Sequence, residues 1–183
     1  MKRYLLFFFL IFSNNEILAL EKENIIRNLE DIKNLSFNFE QNIDGKKEKG
    51  TCILEYPGKI FCKYNLKNQK ILVSNGRYIV IKTVNSHYIY NIKKTPLNLI
   101  LNKNFILEKL KSSDGRIIED KYINFYFLEN ENEINIFFDK KNYDLVGWQS
   151  IDIYQNLSIT FISSLVKNVK IDKNLFKLPE KIN

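Results

Sequence analysis

Two cysteines on either side of a proline-glycine turn are the side chains best placed to do chemistry. Cys52 and Cys62 flank Pro57-Gly58. A three-residue loop centred on Pro57 would set the cysteines opposite each other on adjacent strands, where paired Cα atoms lie about 4.5–5.5 Å apart and a disulfide fits. A two-residue turn would instead pair Cys52 with Lys63 and leave two buried thiols. The sequence is compatible with both a disulfide and two buried thiols.

Residues for catalysis or metal binding are scarce. His87 is the single histidine, so the chain cannot supply a zinc site of four cysteines or of two cysteines and two histidines. It contains no nucleophile elbow, phosphate-binding glycine loop, dinucleotide fingerprint or zinc-protease motif. His87 is interpreted as an exposed or hydrogen-bonded strand residue. We therefore expect a protein without enzymatic activity, catalytic residues, metal or cofactor.

The composition is that of one folded domain in which basic residues outnumber acidic ones. The 183 residues are 45% apolar and include 14 Phe and 10 Tyr, enough to build a core and to exclude a disordered chain. The net charge is +7, but the lysines are dispersed through turns such as Lys46-Lys47-Glu48-Lys49 and Lys93-Lys94. Dispersed lysines are typical of a solvated rim, so we expect no nucleic-acid partner.

The first 19 residues predict a cleaved signal peptide. Met1-Lys2-Arg3 precedes an apolar run over residues 4–12, which is too short for a bilayer core of about 30 Å. We expect cleavage after Ala19, which leaves residues 20–183 as a single domain. No cysteine near the cleavage site could carry a lipid, so we expect an exported, soluble protein without a lipid anchor. A buried N-terminal helix or an uncleaved anchor is the alternative.

The elements that must position these residues are mostly short strands. Residues Glu21 to Leu35 carry apolar side chains at helical spacing and predict an amphipathic helix. About eleven runs of strand character follow, separated by turn residues, and one of them is placed at Phe105–Lys109. Asn75-Gly76 predicts a type I′ hairpin turn, which needs two residues with positive φ. Thr95–Asn102 begins with a capping threonine and a proline and predicts a short second helix.

This order of elements predicts a mainly β protein, a meandering antiparallel sheet or barrel. The many strand aromatics are ordinary for the core of a sheet. A helix over a strongly curved sheet, with a second apolar helix between strands, is also how a fold covers an apolar cavity. Composition alone favours a filled core over a cavity.

Several short motifs occur in an order and spacing that resemble one known family. They are Phe39-Glu40-Gln41, Gly50, Tyr56–Ile60, Tyr64, Ile71–Gly76, Thr95–Leu101, Leu145–Trp148, Asp152, Thr160 and Asn174–Pro179. Together they resemble the periplasmic outer-membrane lipoprotein carrier family, LolA, over essentially the whole mature chain. Each motif is short, so the resemblance rests on the ordered set.

The resemblance implies an unclosed antiparallel β-barrel with a helical lid over an apolar cavity. It implies a periplasmic chaperone that binds the acyl chains of lipoproteins and shuttles them from the inner to the outer membrane. The implied partners are acylated lipoproteins as cargo, an inner-membrane lipoprotein-releasing transporter and an outer-membrane lipoprotein acceptor, and we expect a monomer. Two alternatives stay open: a carrier of free lipids or other amphiphiles, and an envelope interaction protein that uses the same fold without binding lipid.

The strand pattern and the resemblance together give candidate site residues. The expected cavity lining is Phe37, Phe39, Leu54, Tyr56, Ile60, Cys62 and Trp148. The expected lid residues are Ile25, Leu29, Leu97, Leu99 and Ile100. Tyr56 stands where the family often has an arginine that latches the lid, so its hydroxyl is a candidate latch without the charge-assisted hydrogen bonds of arginine. The lining depends on the register, because a slip of one residue exchanges the two faces of a strand.

Overall fold

The computed structural model describes residues 13–129, 132–151 and 156–180. Within them, helix α1 spans Ser13–Glu30, α2 spans Leu97–Ile100, α3 spans Lys103–Ser112, and a 3-10 turn spans Ile92–Lys94. The strands are β1 Asn34–Ile43, β2 Lys46–Glu55, β3 Lys59–Tyr64, β4 Ile71–Asn75, β5 Tyr78–Lys82, β6 His87–Asn91, β7 Arg116–Ile118, β8 Tyr122–Glu129, β9 Asn132–Asp139, β10 Leu145–Ile151 and β11 Leu157–Lys167.

These eleven strands form one antiparallel sheet. The order is β6-β5-β4-β3-β2-β1-β11-β10-β9-β8-β7, so two meanders meet where β1 pairs with β11. The edge strands β6 and β7 do not pair with each other, and the barrel is therefore not closed. This confirms the expected fold class, an unclosed antiparallel barrel of about eleven strands.

Two hairpin turns show how local residues set the register. Asp44-Gly45 joins β1 to β2, and both residues have positive φ, 48° and 82°, as a type I′ turn requires. The type I′ turn expected at Asn75-Gly76 is wrong, because Gly76 alone has a positive φ there, 88°. The Asn75 side-chain oxygen instead accepts hydrogen bonds from the amides of Arg77 and Tyr78.

The run Phe105–Lys109, expected to form a strand, lies in α3. The Asn102 side chain accepts a hydrogen bond from the Phe105 amide and so caps the start of the helix. Ile106 and Leu110, four residues apart, are both buried. A short apolar run is ambiguous between strand and helix by periodicity, and here the cap and the partner elements favour the helix.

Helix α1 differs from the expected helix at both ends. Residues 1–12 of the expected signal peptide lie outside the described residues, and residues 13–19 begin α1. The helix ends at Glu30, and Leu35, expected in the helix, lies buried in β1. In the part of the chain that the structure describes, no helix combines the length and apolar character needed to cross a membrane.

The helices fill one half of the concave face. Phe105 of α3 packs edge-on against Phe127 of β8, with ring centroids 6.4 Å apart, and α1 packs against α3. Asn28 of α1 donates a hydrogen bond to the carbonyl of Tyr143, just before β10. The buried side chains here include Ile106, Leu110, Ile123, Phe125, Phe127, Ile134, Ile136 and Phe138. The concave side of β1 to β6 is less completely covered and holds the candidate site.

Candidate ligand cavity

A cavity of about 210 Å³ lies on the concave side of β1 to β6. Its wall combines inward positions of these strands with β10, β11 and the start of α2. The lining residues are Phe37, Phe39, Gln41, Ile43, Cys52, Ile60, Cys62, Tyr64, Lys70, Leu72, Ile79, Ile81, Tyr90, Thr95, Pro96, Leu97, Trp148, Ser150, Ser158 and Thr160. Apolar and aromatic side chains predominate, so the cavity suits an apolar ligand.

Strand alternation and register decide which side chains reach the cavity. On β1, every second residue from Phe37 to Ile43 lines it. One row across four strands consists of Cys52, Cys62, Leu72 and Ile81, each paired with the next. The register thus forms a continuous wall from β2 to β5.

Cys52 and Cys62 form a disulfide within this wall, with Cα atoms 4.1 Å apart. Glu55 pairs with Lys59, so the turn between β2 and β3 has three residues, Tyr56-Pro57-Gly58. This is the turn length that sets the two cysteines opposite each other. The disulfide ties two neighbouring strands together on the cavity side.

Five of the seven expected lining residues line the cavity, namely Phe37, Phe39, Ile60, Cys62 and Trp148. Leu54 and Tyr56 lie outside it. Leu54 shares the inward face of β2 with Cys52 but is fully buried, because the core continues beneath it at the end of the strand nearest the helices. Tyr56 lies in the turn beyond β2 and packs against the core from its edge.

Among the expected lid residues, Leu97 alone lines the cavity, together with the preceding Thr95 and Pro96. The other four expected lid residues, Ile25, Leu29, Leu99 and Ile100, pack in or against the core. The side of the cavity that faces Thr95, Pro96 and Leu97 is therefore closed by the start of α2. Helix α1 is a core element.

Helix α2 is held by the backbone of the β2–β3 turn and not by the Tyr56 hydroxyl. That hydroxyl is buried without a hydrogen-bond partner among the described residues, and burial raises the pKa of Tyr56, so the group stays neutral. The amide of Gly58 donates a hydrogen bond to the carbonyl of Leu101, which caps α2, at 2.8 Å. Ser74 Oγ donates to the Gly58 carbonyl at 2.7 Å. Sequence analysis missed Gly58 and Ser74 as site residues, because a backbone link has no signature in residue type.

The turn also requires glycine at position 58. Gly58 has a φ of +78°, and a Cβ placed there would lie 2.9 Å from the Cα of Gly76 in the neighbouring turn. The two turns, Pro57-Gly58 and Asn75-Gly76, therefore pack closely against each other.

One end of the cavity is polar. We call Gln41, Glu48, Lys70, Ser158 and Thr160 the polar cluster, and all but Glu48 line the cavity. Gln41 pairs with Thr160 on one neighbouring strand and with Glu48 on the other. Gln41 Nε2 donates to Ser158 Oγ at 3.0 Å, and the buried Glu48 carboxylate lies 2.5 Å from Lys70 Nζ. Thr160 Oγ1 is buried and has no hydrogen-bond partner among the described residues.

Tyr64 connects the polar cluster to the apolar wall. Lys70 Nζ lies 4.2 Å from the centre of the Tyr64 ring, a cation–π contact. Burial, and then the Glu48 carboxylate, raise the pKa of the Tyr64 hydroxyl, which therefore stays neutral. Sequence analysis did not identify the polar cluster as a unit, because polar residues in alternating strands read as outward-facing until the register is known.

The structure places the lone histidine away from the cavity lining. His87 Nε2 lies 3.1 Å from the carbonyl oxygen of Pro179. Over the described ranges, no group of three or more His, Cys, Asp or Glu side chains is placed to hold a metal ion.

Comparison with known proteins identifies the family of this chain. The model of the outer membrane lipoprotein carrier protein LolA matches residues 30–179, whereas no curated protein matches the chain by sequence. Similar solved structures include the lipoprotein LppX of Mycobacterium tuberculosis, which is 12% identical with a TM-score of 0.48, over 87% of this chain and 100% of that chain. A LolA superfamily protein of Nitrosomonas europaea is 9% identical with a TM-score of 0.45, over 90% and 97% of the two chains. A putative outer membrane lipoprotein-sorting protein domain of Vibrio parahaemolyticus is 8% identical with a TM-score of 0.46, over 88% and 95%. Because the family model spans most of the chain, the protein belongs to the LolA family.

Proposed function

We propose that the protein is a periplasmic carrier that binds the acyl chains of lipoproteins and shuttles them from the inner to the outer membrane. The observation that carries the proposal is the apolar cavity on the concave side of β1 to β6, closed on one side by the start of α2. Membership of the LolA family supports the same function. The carrier receives its cargo from an inner-membrane lipoprotein-releasing transporter and delivers it to an outer-membrane acceptor.

The energetics of acyl chains explain why such a cavity is needed. Each methylene moved from water into apolar surroundings gains about 0.8 kcal/mol, so a lipoprotein with free acyl chains stays in a membrane or aggregates. The wall formed by Phe37, Phe39, Ile60 and Leu72 offers apolar surroundings away from a membrane. Binding there lowers the cost of leaving one membrane for another.

The cavity must enlarge to hold this cargo. Its volume of about 210 Å³ lies below the range of about 300–1,000 Å³ that is usual for small-molecule sites. Helix α2 is a single turn in which Ile100 is buried but Leu97 and Leu99 are only half-buried, so its start moves at a lower cost than the longer α1 or α3. Movement of α2 opens the cavity, and its return expels cargo without a covalent step.

Leu97→Glu tests the proposal. The substitution places a carboxylate in the apolar wall, where it must be desolvated, so we expect cargo retention to fall at least about tenfold in a chain that stays folded. The measurement is a pull-down of the C-terminally tagged mature protein from its own periplasm, with mass spectrometry of bound acylated proteins and lipids. The matched control is Val166→Glu, which adds the same charge at an exposed position of β11 and leaves cargo retention unchanged.

The bound material decides between the proposal and its alternatives. Acylated lipoproteins enriched over the Leu97→Glu variant support the carrier function. Free lipid alone would replace it with a carrier of free amphiphiles. A folded protein that retains neither would leave an envelope interaction protein as the better explanation.

A further inference from the structure

The geometry points to the polar cluster as the binding site for the carbonyl oxygen at the head of an acyl chain, with the Thr160 hydroxyl as the hydrogen-bond donor. The inference rests on the proposed function and adds the orientation of the acyl chain within the cavity. The ester or amide carbonyl lies at Thr160, and the methyl end of the chain points towards Ile60 and Leu97.

The polar cluster is part of the cavity wall and not a hydrated rim. Thr160 and Ser158 are only 3% and 5% exposed, and Glu48 is 4% exposed. Along the inward face of β1, two aromatic residues, Phe37 and Phe39, precede Gln41. The wall therefore becomes largely polar at the level of Gln41, although Ile43 beyond it adds one apolar side chain.

Within the cluster, Thr160 stands out by its missing partner. Gln41 donates to Ser158, and Glu48 holds Lys70. Thr160 Oγ1 has no hydrogen-bond partner among the described residues although it is buried. A buried hydroxyl without a partner destabilises the empty protein, and a ligand atom that completes the hydrogen bond removes this cost.

The charges nearby favour an acceptor atom as the ligand. Lys70 Nζ and Lys46 Nζ lie 2.5 Å and 3.5 Å from the two carboxylate oxygens of Glu48, so the cations outnumber the anion. An acyl chain has its acceptor oxygen at the head carbonyl, while the rest of the chain can form no hydrogen bonds. The head therefore matches the polar cluster and the hydrocarbon matches the wall.

The direction of the chain follows from the strands. Gly58, which holds α2 through Leu101, lies two residues from Ile60, so the Ile60 end of the cavity is the end nearest the helices. On β1, Phe37 lies nearer that end than Gln41, which pairs with Thr160. A carbonyl at Thr160 thus directs the hydrocarbon across Phe39 and Phe37 towards α2.

The test compares esters with ethers that lack the carbonyl oxygen. The first probe is a cysteine peptide with an S-glyceryl group that bears two palmitoyl esters, and its partner carries two hexadecyl ethers. Monopalmitoylglycerol and its hexadecyl ether form a second pair that stands for free lipid. Each probe displaces a fluorescent apolar dye from the wild-type chain and from Thr160→Val, which replaces the hydroxyl with a methyl group.

We expect wild type to bind the ester about fivefold more tightly than the ether, the factor for one net hydrogen bond, and Thr160→Val to bind the two alike. The matched control is Leu72→Ala, which shortens the apolar wall. It weakens the ester and the ether equally and leaves their ratio unchanged. A preference seen with the lipopeptide pair alone supports the inference with lipoprotein as the source of the carbonyl, and one seen with the glycerol pair alone supports it with free lipid as the source.

Failure of this inference is distinct from failure of the proposed function. If wild type binds ester and ether equally, or if Thr160→Val keeps the ester preference, the inference is overturned while the carrier function stands. If no probe binds, both are overturned. A second readout needs no ligand: Thr160→Val should raise the midpoint of thermal unfolding of the empty protein, and a lower midpoint would show that the hydroxyl already has a partner.

Discussion

Tyr56 and Gly58 lie two residues apart in one turn and contribute differently to holding α2. The Tyr56 hydroxyl is buried without a partner, whereas the Gly58 amide donates a hydrogen bond to the Leu101 carbonyl. A tyrosine at position 56 therefore contributes through the contacts of its ring with the core, and the polar link to the lid comes from the backbone.

Tyr56→Phe tests this division of roles. Because the substitution removes a buried hydroxyl that has no partner, we expect the free energy of unfolding to stay the same or to rise by up to about 1 kcal/mol. Urea unfolding measures it, and Tyr126→Phe on the exposed side of β8 is the control, with no change expected. A clear loss of stability in Tyr56→Phe would mean that the hydroxyl is hydrogen-bonded after all.

Among the three described helices, α2 is the shortest. It is four residues long, and its Pro96 cap makes no side-chain hydrogen bond. By contrast, α3 is capped by Asn102, and its Phe105 packs against β8. The C-terminal end of α2 is anchored by the buried Ile100 and Leu101 and by the hydrogen bond from Gly58, whereas Leu97 at its start is only half-buried. We therefore expect the start of α2 to move more easily than α1 or α3.

Gly58→Ala should loosen α2 selectively. An alanine at a φ of +78° is strained by about 1–2 kcal/mol, and its Cβ would press on Gly76, so the turn shifts and the bond to Leu101 weakens. Hydrogen exchange followed by mass spectrometry should show faster exchange in peptides that cover α2. Gly45→Ala is the matched control, because Gly45 also has a positive φ, +82°, but lies in the β1–β2 turn with open space around it. Equal exchange of α2 in both variants would contradict the backbone latch.

The whole molecule divides into a filled half and a hollow half. Helices α1 and α3 pack with β8 and β9 around the buried core, whereas β1 to β6 surround the cavity together with side chains of β10 and β11. The disulfide between Cys52 and Cys62 lies in the hollow half and ties its wall together. One sheet thus provides both a tightly packed core and a cavity.

Cargo binding should affect these halves differently. We expect an acylated peptide to speed hydrogen exchange in α2, because α2 must move to enlarge the cavity, and to leave α1 and α3 as protected as in the empty protein. The same peptide without its acyl chains is the control and should change neither. Faster exchange throughout α1 and α3 would instead mean that the whole core rearranges on binding.

Local sequence signals were enough for most of the fold. Alternating strands and their turn residues predicted a mainly β protein of about eleven strands, and the Thr95-Pro96 signal located a short helix close to where α2 begins. They failed at Phe105–Lys109, because a short apolar run has no decisive period and the partners of α3 lie far along the chain. They also failed at Asn75-Gly76, where the Asn75 side chain accepts backbone hydrogen bonds and gives a different turn.

The sequence by itself determined the class of fold and the family resemblance, because both depend on patterns of neighbouring residues. Only the tertiary structure decided which half of the concave face stays hollow, since that depends on where α1 and α3 pack. It also decided the link from Gly58 to Leu101 and the polar cluster around Thr160, which join residues far apart in the chain. Such contacts follow from strand register and backbone position, and neither is recorded in the type of any single residue.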